Sequence, residues 1–261
     1  NIALTLKNME HQDEVLNPYS ESEGEDNAQE VKKKQNGTQN KASGGTLSNL
    51  HSTGFKDFLL KAELLRAISE AGFEHPSEVQ VNAIPRALEG KDIICQAKAG
   101  MGKTAVFVLA VLQSLDENKA DPSSALVLVN TKELAYQIHR EFERLGKFLP
   151  GIKSQVFFGG IPIEKDKEKL AQNPAILVGT PARILDLYRR KMIKFDKLRF
   201  FIIDECDKMF DQKEMGKDIT ELFTKTPIDK QVMMFSATFS KEVKKLASKF
   251  MQDSEEILID D

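Results

Sequence analysis

The chain has 261 residues, of which 41% are apolar and 30% charged, and a net charge of −3. That apolar content supports a sizeable core, while no run approaches the ~18–20 apolar residues of a membrane span and no signal peptide is evident, so no membrane partner is expected. Residues 1–50 carry eight acids against five lysines, whereas 51–261 carry 32 charges of each sign, a balance that excludes a grip on nucleic acid through bulk basicity.

Residues 1–50 are rich in Glu, Ser, Asn, Gln, Lys and Gly and lack apolar periodicity, so they read as a disordered acidic and polar tail. The tail holds an acidic run, Ser20–Asp26, and a basic one, Lys32–Lys34. From about Thr53 the pattern changes. Helical periodicity over Leu59–Ala71 gives way to short apolar runs alternating with longer amphipathic stretches. Strands are predicted at Ile93–Gln96, Leu126–Val129, Gln155–Phe158, Ile176–Gly179, Leu198–Asp204, Val232–Phe235 and Ile257–Ile259. Helices are predicted at Thr104–Leu115, Lys132–Phe148, Ala182–Lys191 and Lys241–Phe250. Strands apolar on both faces, joined by helix-length connections, indicate an α/β domain with a mostly parallel sheet and helices on both faces. The cysteines Cys95 and Cys206 lie far apart and form no CxxC pair, so they read as buried thiols of a reducing compartment.

Three segments at strand ends carry chemistry. Ala97-Lys98-Ala99-Gly100-Met101-Gly102-Lys103-Thr104 follows one strand and opens a helix, the setting of a phosphate loop. Its glycines let backbone N–H groups curl toward phosphate oxygens, and the helix N-terminus adds partial positive charge. In that role Lys103 reaches the β/γ-phosphates and Thr104 ligates Mg²⁺. Ala97 stands where the strict pattern has glycine, and a turn leading into a helix explains a lone match equally well. Asp204-Glu205-Cys206-Asp207 follows the strand Leu198–Ile203; Asp204 would hold Mg²⁺ and Glu205 would orient and deprotonate the attacking water. Such acids are otherwise ordinary solvated helix-cap groups. Ser236-Ala237-Thr238 follows a third strand and reads either as hydroxyls near the γ-phosphate or as caps of the helix near Lys241. The basic run Arg189–Lys191 reads as a solvated helix end, with an RNA or protein patch as the alternative.

In this order the motifs resemble the DEAD-box family of ATP-dependent RNA helicases, over about residues 52–261. The resemblance implies one RecA-like P-loop NTPase domain that binds ATP or ADP with Mg²⁺ and acts as a monomer, with Lys103, Asp204 and Glu205 catalytic. Gly72-Phe73 to Gln80 looks like the family's Q motif, in which Gln80 reads the adenine edge; Phe73 belongs to the same site, and Phe55 matches an upstream aromatic that stacks on the base. The implied nucleotide site adds Ala99, Gly100, Met101, Gly102, Lys103, Thr104, Asp204, Ser236 and Thr238. Thr131 and Lys132, Gly159 and Gly160, and Thr180, Pro181 and Arg183 resemble the elements that hold single-stranded RNA by its backbone, without reading sequence.

Cys206 in place of alanine, with the segments His51–Leu60 and Lys230–Thr238, resembles the DECD-box helicase of the spliceosome and of mRNA export. That branch implies a nuclear protein working with the THO complex and an Aly/REF-type adaptor. Three departures stand out: Ala99 replaces Ser or Thr, Lys132 replaces Arg, and Ala182 replaces Gly. No second RecA-like domain follows within this sequence. The expectation is therefore a nucleotide-binding half that hydrolyses and unwinds poorly alone, or a non-catalytic short form that binds nucleotide or partners.

Overall fold

The computed structural model of the chain describes residues 54–251 and 254–259. The tail read at 1–50, with its charged runs, and the start of the family likeness at 51–53 lie outside the described residues. A 3₁₀ turn, Phe55–Phe58, precedes helices α1 (Ala62–Glu70) and α2 (Glu78–Leu88). Thereafter strands and helices alternate: β1 (Ile93–Gln96), α3 (Lys103–Ser114), β2 (Ala125–Leu128), α4 (Lys132–Leu145), β3 (Ser154–Phe157) and α5 (Ile163–Leu170). They continue through β4 (Ile176–Gly179), α6 (Pro181–Arg189), β5 (Phe200–Ile203), α7 (Cys206–Phe210), α8 (Lys213–Thr224), β6 (Gln231–Ser236), α9 (Lys241–Phe250) and β7 (Glu255–Leu258).

The seven strands form one all-parallel sheet in the order β3-β4-β2-β5-β6-β1-β7. This is the α/β arrangement expected from the sequence. Successive side chains of a strand point to opposite faces, and here both faces are covered. Val127, Val178, Ile202 and Phe235 join α1–α4 in one core; Leu126, Leu177, Phe201 and Met234 join α6–α9 in the other. Helix α3 is buried from Ala105 to Leu112, because it is wedged between α2 and α4.

The expected helix over Leu59–Ala71 divides. Leu59 takes a left-handed conformation (φ 53°) after the 3₁₀ turn, and α1 starts at Ala62. Four helices that apolar periodicity did not announce, α2, α5, α7 and α8, complete the layers. Ser236 is the last residue of β6 rather than the first of a loop.

Candidate nucleotide and RNA site

In a parallel sheet every strand delivers the following loop to the same end. The C-terminal ends of β1, β6 and β5, three adjacent strands, release the phosphate loop, Ser236-Ala237-Thr238 and the Asp204–Asp207 box. A cavity of about 600 Å³ opens there. Its walls include Phe73, Gln80, Ala99, Gly100, Gly102, Lys103, Thr104, Asp204, Glu205 and Ala237, with Arg140, Glu141 and Arg144 from α4 on the far side.

The loop is fastened from beneath by α2. Ser77 caps that helix by accepting from Gln80 N at 3.3 Å, and its own N–H donates to Gln80 Oε1 at 3.0 Å, so the two form a capping box. The same two side chains reach the phosphate loop: Ser77 Oγ donates to Met101 O at 2.8 Å and Gln80 Nε2 to Gly102 O at 3.2 Å. Gln80 is 3% exposed. One amide N–H and one oxygen lone pair remain for an adenine edge. Lys103 Nζ donates to the loop carbonyls of Ala97 and, at 2.8 Å, Lys98. It therefore holds the loop's shape and sits where a phosphate would replace those carbonyls. The Thr104 side chain lines the cavity, and its hydroxyl makes no hydrogen bond among the described residues.

Asp204 is 4% exposed. Burial pushes its carboxyl up to about 6, held from rising further by the N–H of Glu205, which donates to Oδ1 at 2.9 Å, and by nearby Lys103. Glu205 has a left-handed backbone (φ 52°), a conformation costly for a side chain of this kind and concentrated at functional sites. Its carboxylate pairs with Lys208 at 2.9 Å. Thr238 Oγ1 donates to Asp207 Oδ2 at 2.9 Å, tying β6's loop to α7.

Four expected nucleotide-site residues do not line the cavity: Thr238, which is bound to Asp207, and Phe55, Met101 and Ser236. Phe55 is buried behind the cavity wall, edge-on to Phe58 and Phe73, with both ring centroids at 5.8 Å; Phe73 itself faces the cavity. Met101 packs against the core and contributes its backbone carbonyl to Ser77. Ser236 is fully buried and donates to Thr238 O at 2.6 Å, so it shapes the turn instead of facing the cavity. The cap of α9 is Ser240, which accepts from Val243 N, so Ser236 and Thr238 do not serve as that cap.

The residues expected to meet RNA emerge from the adjoining strip of the same sheet end, at β2, β3 and β4. Thr131 caps α4, accepting from Leu134 N at 3.2 Å, and Lys132 beside it is exposed, 3.7 Å from Glu133. Gly159 and Gly160 are exposed after β3. Thr180 stands at the N-terminal boundary of α6 without a side-chain capping bond, Pro181 is buried as its first residue, and the methyl of Ala182 faces solvent. Arg183 differs. Its side chain is 13% exposed and is spent on Asp166 Oδ2 at 2.6 Å and Ile161 O at 2.9 Å, so it braces α5 and the loop after β3 from within.

Sequence reasoning gave no individual role to Ser77, Asp207, Lys208 or the α4 arginines. Ser77 carried a legible signal, the S-x-x-Q capping box. The others become visible only when α4 and α7 are brought over the loop.

A single buried carboxylate beside a free hydroxyl suits a cation completed by phosphates and water, since Mg²⁺ takes one or two protein carboxylates in such sites. Asp204 and Thr104 fit that description, and the positive charge would relieve Asp204's desolvation. Among the described residues no group of three or more His, Cys, Asp or Glu side chains could hold a metal ion.

Comparison with known proteins agrees with the geometry. The chain is 55% identical over 218 residues to ATP-dependent RNA helicase WM6 of Drosophila melanogaster, covering 83% of this chain and 51% of that protein. It is 59% identical over 213 residues to DEAD-box ATP-dependent RNA helicase 56 of Oryza sativa subsp. japonica, covering 81% and 49%. It thus spans about half the length of these relatives. Among solved structures, S. cerevisiae Dbp5 bound to RNA and ADP BeF3 superposes with a TM-score of 0.72 at 33% identity, over 79% of this chain and 52% of that one. A DEAD box protein from the hyperthermophile Methanococcus jannaschii gives 0.72 at 34% identity, over 78% and 55%. The DEAD/DEAH box helicase family model matches residues 77–246, from the capping serine of α2 to the interior of α9, and the chain belongs to that family.

Proposed function

We propose that this chain is the ATP-binding, N-terminal RecA-like half of an ATP-dependent RNA helicase. The observation that carries this reading is the order of the sheet. Strands β3-β4-β2 end in the RNA-type elements and β5-β6-β1 end in the nucleotide-type elements, so two ligand sites lie side by side on one edge. In this reading Gln80 meets adenine, and Lys103 leaves the carbonyls of Ala97 and Lys98 for phosphate oxygens. Asp204 and Thr104 would hold Mg²⁺, which would supply charge neutralisation. Glu205, whose carboxylate pairs with Lys208, would take the proton from the attacking water.

RNA would be held through Thr131, Lys132, Gly159, Gly160 and Thr180, with Pro181 and Arg183 shaping that surface. The finer assignment is to the DECD branch, a nuclear protein of mRNA splicing and export that works with the THO complex and an Aly/REF-type adaptor. Its support is the Asp-Glu-Cys-Asp box, in which Cys206 is fully buried and so marks the branch without taking part in chemistry. RNA-stimulated ATPase rates test the reading. They would be compared for this chain, for a longer version carrying a second RecA-like domain, and for E205Q in both. Slow turnover here, fast turnover in the longer protein and loss of at least about a hundredfold in E205Q are expected. No ADP binding by this chain would overturn it.

A further inference from the structure

The end of the sheet opposite the phosphate loop holds a second cavity, of about 310 Å³. Its walls come from the turns that enter strands: Pro122 and Ser123 before β2, Asn173 and Pro174 before β4, and residues 191–194, 196 and 197 before β5. Because the strands are parallel, these turns lie at the other pole from every element assigned above, and the two cavities share no lining residue.

The rim is basic. Lys191, Lys194 and Lys197 are exposed and form no ion pair among the described residues, against one lining acid, Asp196. The preceding arginines do not share this freedom: Arg189 is bound to Glu221 and Arg190 to Asp186. The floor is apolar, made by Leu170, Met192, Ile193 and the two prolines. Ser123 is 5% exposed and lines the cavity, yet its hydroxyl has no hydrogen-bond partner among the described residues, whereas neighbouring Ser124 donates to Asp121 O at 2.6 Å. That hydroxyl is not among the buried unpartnered polar atoms, so it reaches the cavity and can donate to an incoming acceptor.

The ligand must combine negative charge with an apolar part. A bare phosphate is a poor match. No arginine fork lines the cavity, and the backbone N–H groups of Ser123, Asn173 and Lys191 are spent on Pro174 O, Leu170 O and Tyr188 O. Helices α5 and α6 also end here, so their partial negative charge opposes a compact dianion, while lysine stems at the rim can meet carboxylates spread along a chain.

We propose that this pole docks a short acidic peptide segment of a partner protein. An apolar side chain would sit on Leu170, Met192 and Ile193, flanking carboxylates would pair with Lys191, Lys194 and Lys197, and Ser123 would donate to the peptide. The site is independent of the nucleotide reading.

The test uses the 261-residue chain and a fluorescein-labelled peptide in which Asp and Glu flank a Leu-Phe pair. Anisotropy gives affinity, and methyl NMR of Leu170, Met192 and Ile193 locates binding. Saturable shifts of those methyls are expected. Affinity should fall about tenfold or more when the acids become Asn and Gln, and by a similar factor in K191E/K194E/K197E. Fluorescence of a bound adenine-nucleotide analogue at the opposite pole reports that each variant is folded; should the triple variant fail there, K194E is compared with K194Q. The proposal is overturned if millimolar peptide leaves the three methyls unmoved, if the amide peptide binds equally, or if charge reversal changes nothing. It is also overturned if single-stranded RNA or inorganic phosphate moves those methyls at lower concentration than the peptide.

Discussion

Asp204 sits where stability and chemistry oppose each other. Its folded carboxyl binds a proton more tightly than an unfolded one, with about 6 against an ordinary 3.8. The unfolded chain therefore ionises first. Stability from this group is highest below about pH 4, declines as pH rises toward about 6, and stays at the lower level above. D204N removes that decline. Because an amide oxygen can still accept from Glu205 N, the variant should be more stable than the parent at neutral pH, by about 2–3 kcal/mol in metal-free buffer, while losing turnover. Urea midpoints in EDTA across pH 4–7 check this, and a parent-like profile for D204N would remove the argument.

Gly102 is the other residue whose identity is forced. Its φ is +81°, and a Cβ there would lie 2.4 Å from Gln80 Nε2. G102A should push Gln80 off the loop, costing about 1–3 kcal/mol of stability and at least about tenfold in ADP affinity, read by calorimetry. Both glycines of the loop were legible in the sequence. That one of them makes room for Gln80 was not, because 22 positions separate the two.

At the scale of elements, α5 shows what periodicity cannot announce. Its sequence, IEKDKEKL, has no apolar stripe, and the residue it buries is Asp166. The helix is docked by charge: Asp166 faces Arg183 from α6, and Lys169 approaches the other carboxylate oxygen at 3.9 Å while donating to Val156 O. A reading built on hydrophobic spacing finds α3, α4 and α9 and passes over such a helix. The family resemblance that placed Arg183 among the RNA-binding residues gives an arginine's position but not the direction of its guanidinium, which here meets Asp166. R183A should leave a buried, unpaired carboxylate and cost about 3 kcal/mol, whereas R183A/D166N should recover part of that loss. Equal destabilisation of the two variants in urea would show that the pair does not brace α5.

At the scale of the whole molecule, two apolar cores lie on opposite faces of one sheet, and the nucleotide cavity draws on both layers. Phe73, Gln80, Leu134 and Ile138 come from the α1–α4 side; Glu205, Asp207 and Lys208 come from the α7 side. The strand order that creates this bridge could not be read from the chain, because seven similar apolar runs do not say which are neighbours. A ligand spanning both layers stabilises them together, so saturating ADP should move a single unfolding transition upward without splitting it. At a hundredfold excess over Kd the gain is about 2.7 kcal/mol. In the proposed function the amide of Gln80 would discriminate adenine from guanine through its remaining N–H and lone pair, so GDP at the same concentration should give a smaller shift. Q80A should erase the difference and also weaken ADP, because it unfastens the loop at Gly102. Differential scanning fluorimetry with both nucleotides decides the matter. Equal shifts from ADP and GDP in the parent chain would mean that Gln80 fastens the loop and reads nothing.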